Sequence, residues 1–480
     1  MSGTLNIQPL TAAEVATMYE KCVEILSGHG VKVDHEGALG WLRKAGAEVD
    51  DATRMVKFPT DLIESALASA PRKFVAKGGD EAHDLRLPHP DRSFFTSSCI
   101  QSMLYLDPDT GQFRDNTEAL FAEWCQLIEA LPNIDACAIQ TPMDVPPETA
   151  DIHALAVQLQ HTSKPLNLLA YCLESVPYLF ELLLARAGSE ESLRERPLAW
   201  FDPTSLSPLV FKDMDVLTIE LCCKYGIPVA PCSLVVGGGT GPITPAGAAL
   251  LVGVEVLAMI VMTQILAPGH PILGSAYNST MDMGTGNTNL GSPDTALAQA
   301  ASAQFMREAF HVPVLTASLW SDSYVSDGQT VFSKGMNAAF TVMAGADVVY
   351  GAGRLGGSTL ASPAQLIIDD RTTALVRRYT AGVQADDDSL GLQTILDAGA
   401  GGNYLRARHT LRHCRESVRP DIFVADPLDT WQTAGAPDLY ERATEKYREL
   451  RQGLAPLDLP EDTVRALNDV VARADAALVR

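Results

Sequence analysis

VAPCSLVVGGGTGPITPAGAALLVGVEVLAMIVMTQILAPGHPILGSAY, residues 229–277, decides the fold. It opens on an apolar run, Val229–Leu234, that reads as a buried strand, and breaks in a glycine-rich turn. Thr244-Pro245 then marks a helix start, with a hydroxyl cap before a proline at the first helical position. The helix runs to Leu266, a Pro-Gly turn ends it, and Ile272–Tyr277 returns as a second strand. Strand, crossover helix, strand is the pattern of two parallel strands. The helix is apolar on every side and long enough to cross a bilayer, but it carries Glu255 and Gln264, which hydrocarbon penalises. A helix buried in protein is the expectation.

The same unit recurs on both sides. Further strands are read at Phe94–Ser98, Ile134–Thr141, Leu166–Tyr171, Leu198–Phe201, Val314–Leu319 and Val348–Gly351. Helices are read between and after them at Glu118–Leu131, Thr149–His161, Val176–Ala187, Phe211–Tyr225, Pro293–Phe310, Gly328–Ala344 and Pro363–Ala381. Ser292-Pro293 and Ser362-Pro363 repeat the hydroxyl-proline start. Eight such units predict an α/β (β/α)8 TIM barrel over residues 93–401, with a doubly wound open sheet as the alternative. Residues 1–92 read as an N-terminal helical region. Thr11 and Glu14 form a capping box there, and further helices are expected over His35–Ala45 and from Pro59. Residues 402–480 read as a C-terminal helical extension.

Composition narrows the class. The chain has 480 residues, 46% of them hydrophobic, which supports a large core. Its 59 acidic against 36 basic side chains give a net charge of −23, which argues against nucleic acid or anionic membrane as partner. Nine cysteines contain no C-x-x-C, and no zinc signature is present. The opening MSGTLNIQPLTAAEV lacks a basic stretch followed by an apolar one, so a cytoplasmic location is expected. Large acidic barrels commonly pair by symmetry, so a homo-oligomer is expected too.

In a barrel of this kind the site lies at the C-terminal ends of the strands. Those ends offer hydroxyls, amides and aromatics, few lysines or histidines, and some carboxylates. The set suits a weakly hydrated cation such as a quaternary ammonium, which is held by aromatic faces and negative potential. The candidates are Tyr171, Phe201, Tyr277, Trp320 and Tyr350 as a cage, with Gln140, Asp202, Asp282 and Asp322 around it. Arg354, just beyond strand eight, is a partner for a substrate carboxylate or one half of a surface ion pair. Gly237 to Gly241 is no phosphate loop and reads as a close-packed turn or an anion site. Asp151-Ile152-His153 begins a D-x-H-x-x-G corrinoid motif, but Ala156 stands where its glycine belongs.

Several motifs, in order and spacing, carry a resemblance. They are GVKVDHEGALGWLRKAGAEVD (30–50), SAPRKF (69–74), FDPTSLSPL (201–209), GPITPAG (241–247), MDMGTG (281–286), GSPD (291–294), SDSYVSDGQ (321–329), GAGRLGGSTLAS (351–362) and the His409-Thr410 segment. Together they resemble the non-pyrrolysine trimethylamine methyltransferase family, which includes glycine betaine:corrinoid methyltransferases. The resemblance implies a barrel that moves a methyl group from a quaternary amine to cob(I)alamin. That corrinoid would be supplied by a partner corrinoid protein over the barrel mouth. Three positions depart from the family pattern: Gly356 stands for a glutamate, Arg371 for the glutamate of Asp-Asp-Glu, and Asn403 for a histidine. Two rival readings are a non-catalytic quaternary-amine binding or regulatory protein, and a barrel lyase using Lys164 or Lys334 as a Schiff base.

Overall fold

The computed structural model describes residues 5–91 and 93–479. Eight strands close on themselves: β1 (Phe95–Ser98), β2 (Cys137–Ala138), β3 (Leu166–Leu168), β4 (Ala199–Phe201), β5 (residues 229–233), β6 (Gly274–Ala276), β7 (Val314–Thr316) and β8 (Val348–Ala352). Each lies parallel to the next. The register runs Ser97 to Ala136, Cys137 to Leu166, Leu166 to Ala199, Phe201 to Val229, Val229 to Ile272, Gly274 to Val314 and Leu315 to Val348. Val348 then pairs with Phe95, which joins the last strand to the first. The barrel is therefore closed, and the open-sheet alternative falls. All eight strands lie where the sequence reading placed them, because strands buried on both faces favour apolar and small residues.

The crossover helices are α1 (Glu118–Ala130), α2 (Ala150–His161), α3 (Val176–Ala187), α4 (Asp213–Tyr225), α5 (Pro245–Leu266), α6 (Pro293–Phe305), α7 (Gly328–Met343) and α8 (Pro363–Thr380). The hydroxyls of Thr244, Ser292 and Ser362 cap α5, α6 and α8, each with proline at the first helical position. Past Phe305 the chain continues to Phe310 in a wider π-type turn, so the regular helix is shorter than expected. α8 ends at Thr380, so the last part of the expected 93–401 segment lies outside the barrel.

α5 is apolar all round because it is covered all round. Helices 12–24 and 60–69 of the N-terminal region pack over it, and α4 and α6 flank it. Its two polar residues are satisfied inside the protein. Gln264 bonds the backbone of Gly269 and His270. Glu255 accepts from the hydroxyls of Ser205, Ser207 and Ser233 at 2.6–2.7 Å and from the Leu209 amide at 2.8 Å. That carboxylate is the physical reason for the Thr-Ser-Leu-Ser run after β4, since it gathers the whole loop around itself.

The N-terminal region is less purely helical than expected. Its three helices (12–24, 36–44 and 60–69) are present, with the Thr11–Glu14 capping box. A small sheet joins them, in which Val31–Val33 pairs with Met55–Lys57 and, in parallel, with Val210–Phe211 of the barrel loop. These three-residue strands are too short for period-two patterning to show. C-terminal helices 439–451 and 461–478 pack on the flanks formed by α8 and α1 and by α2 and α3.

Candidate functional site

At the C-terminal end of the strands lies a cavity of about 460 Å³. Tyr171, Asp202, Tyr277, Trp320, Tyr350 and Arg354 line it together, one from each of five strand ends and a sixth from the turn after β8. Apolar residues, among them Ile100, Leu234 and Leu290, complete the wall.

Its centre is aromatic. The Tyr277 ring centroid lies 5.0 Å from that of Tyr350 and 6.0 Å from that of Trp320, and Trp320 meets Tyr350 nearly edge-on at 6.4 Å. An acidic and a basic side chain sit on opposite members of this cluster. Tyr277 donates its hydroxyl to Asp202 Oδ2 at 2.9 Å. Tyr350 accepts from Arg354 Nη2 at 2.8 Å and from the Ile100 amide at 2.8 Å.

Asp202 is fully buried and its Oδ1 has no hydrogen-bond partner. Burial pushes its carboxyl up to about 8, against the weaker opposing pull of Tyr277 and of the nearby Asn167 and Trp200 side chains. Arg354 is 2% exposed. Its guanidinium lies 5.5 Å from the Trp320 centroid and 5.2 Å from the Tyr350 centroid, and donates to Ile100 O at 2.6 Å. Its Nε is unpaired. The alternative of a surface ion pair fails, because Arg354 is buried and forms no salt bridge among the described residues.

A second layer fixes Arg354. Lys334 of α7 and Asp369 of α8 make a fully buried salt bridge of 2.6 Å. Asp369 also accepts from the Gly353 amide at 2.7 Å and from Gln365 at 2.8 Å, which locks the chain one residue before Arg354. Lys334 is thus committed to Asp369. Lys164 donates to the carbonyls of Ile128, Leu131 and Ile134 at the opposite end of the barrel. Neither amine faces the cavity, and the Schiff-base reading loses its residues.

Four sequence candidates do not line the cavity. Phe201 points outward and stacks on Phe180 of α3 at 4.8 Å, packing the layer between strands and helices. Side chains alternate across a strand, so a strand-end aromatic has two choices of face. Gln140 is buried beneath the wall, where its side chain accepts from Asn116 and its carbonyl from the Tyr171 hydroxyl. Asp282 is exposed and closes a local turn on the amides of Gly284 and Thr285. Asp322 clamps the loop before α6 through the amides of Leu290 and Gly291.

Gln101, a strand-end residue in the sequence, also lines the cavity, from a left-handed backbone of φ 56°. Other residues at the cavity escaped the reading. Lys212 and Met214 reach it from the far end of the β4–α4 loop, which doubles back through the Leu206–Val210 pairing. A loop that returns to the mouth leaves no local signal in the sequence. Gly237 to Gly241 is a close-packed turn whose Gly238 adopts φ 88° against Met283 and Ile243.

A sequence model described as trimethylamine methyltransferase (MTTB) matches residues 2–478. The chain belongs to this family. Trimethylamine methyltransferase MttB of Desulfitobacterium hafniense (strain DSM 10664 / DCB-2) is 28% identical over 463 residues, covering 96% of this chain and 93% of that protein. The glycine betaine methyltransferase of D. hafniense strain Y51 is 25% identical over 468 residues, covering 97% and 96%. The solved structure of the monomethylamine methyltransferase MtmB of Methanosarcina barkeri shares the fold, with a TM-score of 0.50 at 11% identity over 92% of this chain and 93% of that one. The protein is therefore a methyltransferase with a TIM-barrel fold.

The three departures from the family pattern fall in different parts of the fold. Gly356 adopts φ 56° in the loop after β8, and a Cβ there would lie 2.6 Å from the Tyr324 ring. A glutamate at this position needs a different loop. Arg371 faces away from the mouth and bridges Asp370 and Asp421, tying α8 to the C-terminal extension. Asn403 lies on an exposed segment and accepts from the Leu405 amide. Only Gly356 belongs to the rim.

Proposed function

We propose that the protein moves a methyl group from a betaine, a quaternary ammonium that also carries a carboxylate, to the cobalt of a corrinoid held by a separate protein. The observation behind this reading is a carboxyl and a guanidinium on opposite members of one aromatic cluster, the carboxyl ionising as a cation binds. Asp202 and the faces of Tyr277, Trp320 and Tyr350 suit the trimethylammonium end. Arg354, with an unpaired Nε, suits the carboxylate. A bare tetraalkylammonium would meet the Arg354 charge with nothing to offset it.

The residues present fit this chemistry. When bound, the corrinoid supplies the nucleophile for the methyl group, and the C–N electron pair leaves with the nitrogen. Departure of a neutral amine needs no general acid, in keeping with a site poor in acid–base groups. The chain's own work is to orient the methyl and exclude water. The broken D-x-H-x-x-G motif supports a corrinoid carried elsewhere. His153 is engaged by Glu118 and Asp475 against the last helix, and Asp151 caps Tyr171 N and Ser175. Around the mouth, seven consecutive strand–helix loops each expose a large apolar side chain: Met103, Met143, Leu173, Leu206, Leu234, Met283 and Tyr324. Such a ring suits the docking of a protein that presents a macrocycle.

The test mixes the purified protein with cob(I)alamin and a panel of betaines, tetramethylammonium and trimethylamine, and follows cobalamin methylation by absorbance. Methylation with a betaine and little with the other two is expected. Calorimetric binding of a betaine without turnover would instead favour a non-catalytic binding protein.

A further inference from the structure

Beneath Asp202 the barrel wall carries polar side chains without partners. Side chains alternate across a strand, and Phe201 faces outward, so its neighbours Trp200 and Asp202 both face the barrel axis. Asp202 N donates to Leu168 O of β3 at 2.8 Å, so the strand geometry continues through this residue. Asn167 of β3 lies level with Trp200 of β4 in the parallel register and faces the same way. Asn167 and Trp200 are both fully buried. Trp200 Nε1, both amide atoms of Asn167 and Asp202 Oδ1 have no hydrogen-bond partner among the described residues. Buried polar atoms are nearly always paired, so a cluster of orphans around one carboxyl calls for a cause.

The charge of Asp202 supplies it. The oxygen of a neutral acid is a weak acceptor, whereas a carboxylate oxygen holds donors about twice as strongly and at shorter range. An indole nitrogen can only donate, and the Asn167 amide adds a second donor through Nδ2. Both side chains already act on the Asp202 carboxyl and pull against its burial. Tyr277 donates to Oδ2 at 2.9 Å, so donors from β3, β4 and β6 surround the group. The other titratable side chains facing it are held neutral. Burial pushes up the phenols of Tyr171 on β3, Tyr277 on β6 and Tyr350 on β8, and the thiol of Cys232 on β5. The cations of the cavity are Arg354, bonded to Tyr350, and Lys212, paired at 3.4 Å with Asp215, which itself accepts from the Thr204 amide.

We propose that Asn167 and Trp200 are positioning residues, a preformed donor pair that closes on Asp202 Oδ1 as the carboxylate forms and so lets this buried acid ionise when a cation enters. The inference rests on the reading of the cavity as an ammonium site. Entry of the cation sends one proton from Asp202 to solvent, and Oδ1 then accepts from Trp200 Nε1 and Asn167 Nδ2. The pair thereby sets the pH above which the site holds a quaternary ammonium.

The test is isothermal titration of the full chain with glycine betaine across a pH series. The nitrogen of this probe has no proton to lose, so the pH dependence belongs to the protein. Trp200→Phe keeps an aromatic ring and removes the donor. Asn167→Leu removes the amide at similar volume. Circular dichroism checks the folding of each, and either variant alone decides if the other fails to fold. Wild-type affinity should rise with pH and level off at about 8. In each variant that point should move up by about one pH unit, so Kd rises about tenfold at neutral pH and returns to within about twofold of wild type at about pH 9.5. In an Asp202→Asn background the same substitutions should change Kd by less than about twofold. Weakening by one factor at every pH marks ordinary packing residues and overturns the proposal, as does an unmoved profile. A wild type that binds glycine betaine equally at every pH overturns it too, and leaves the betaine reading in place. A wild type that does not bind at all overturns both. None of these readouts needs turnover, so loss of methyl transfer alone does not imitate any of them.

Discussion

Tyr277 and Tyr350 lie with ring centroids 5.0 Å apart, and their hydroxyls bond a carboxyl and a guanidinium respectively. Tyr277 donates to the carboxyl of Asp202 at 2.9 Å, and Tyr350 accepts from the guanidinium of Arg354 at 2.8 Å. With Asp202 ionised by a bound cation, the cavity is polarised across two tilted phenols. In a water-poor site such a dipole orients a zwitterion strongly, because little solvent screens it.

Arg354→Gln removes the carboxylate partner and keeps a polar side chain of similar reach. A charge-assisted hydrogen bond contributes about 1.5–3 kcal/mol, so kcat/KM for a betaine should fall roughly 10- to 100-fold. Activity towards tetramethylammonium should rise, since the repelling cation is gone. Steady-state kinetics on the two substrates measure the ratio. An unchanged ratio would remove Arg354 from recognition.

Asp202 links binding to pH. Its folded pKa, about 8, is raised above the ordinary aspartate value, so the folded protein favours the neutral acid. Its contribution to stability is therefore largest at low pH and is lost as pH climbs from the unfolded value to about 8. A bound ammonium favours the carboxylate instead. Affinity for the cation should rise with pH up to about 8 and then level off, with a proton released on binding at neutral pH. Calorimetry in two buffers of different ionisation enthalpy counts that proton. Asp202→Asn should abolish both the proton release and the pH dependence.

Trp320 and Phe201 are both aromatic and both sit at strand ends, yet the structure gives them opposite duties. Trp320→Leu should weaken a quaternary ammonium by about 1–2 kcal/mol, a roughly 5- to 30-fold rise in Kd, by loss of a cation–π face. Phe201→Leu should leave Kd within about twofold while lowering stability by about 1 kcal/mol through looser packing on Phe180. Isothermal titration and thermal melts separate the two. Equal effects of both substitutions on Kd would contradict the assignment.

Glu255→Ala strands three serine hydroxyls and the Leu209 amide in the core. A loss of about 3 kcal/mol or more is expected, read as a lower urea midpoint. Glu255→Gln, which keeps one acceptor, should lose less. A fully stable Glu255→Ala protein would show that the loop after β4 is held by other contacts.

The barrel was legible because its strands are buried on both faces and its helices begin with hydroxyl-proline signals. Both features are local, and both survive in a one-dimensional string. In the N-terminal region HGVKVD reads as a turn and a short strand, which is Val31–Val33, whereas Glu48–Asp50 and Met55–Lys57 carry no such pattern. Of the site, Tyr171, Asp202, Tyr277, Trp320, Tyr350 and Arg354 were named from position alone, since strand ends and the turn after β8 fall at the mouth of any closed barrel.

What the sequence could not decide was direction. Phe201 and Trp320 differ only in the side of the barrel wall they face, and strand twist together with neighbouring volume settles that. Asp322 and Asp202 are both strand-end carboxylates, but backbone amides two loops away capture one while burial strips the other of partners. The sequence by itself determined the closed barrel and the residue types at its mouth, because burial periodicity and caps act over a few residues. Only the tertiary structure decided which charges face each other across Tyr277 and Tyr350, because that depends on segments distant in the chain meeting at one point.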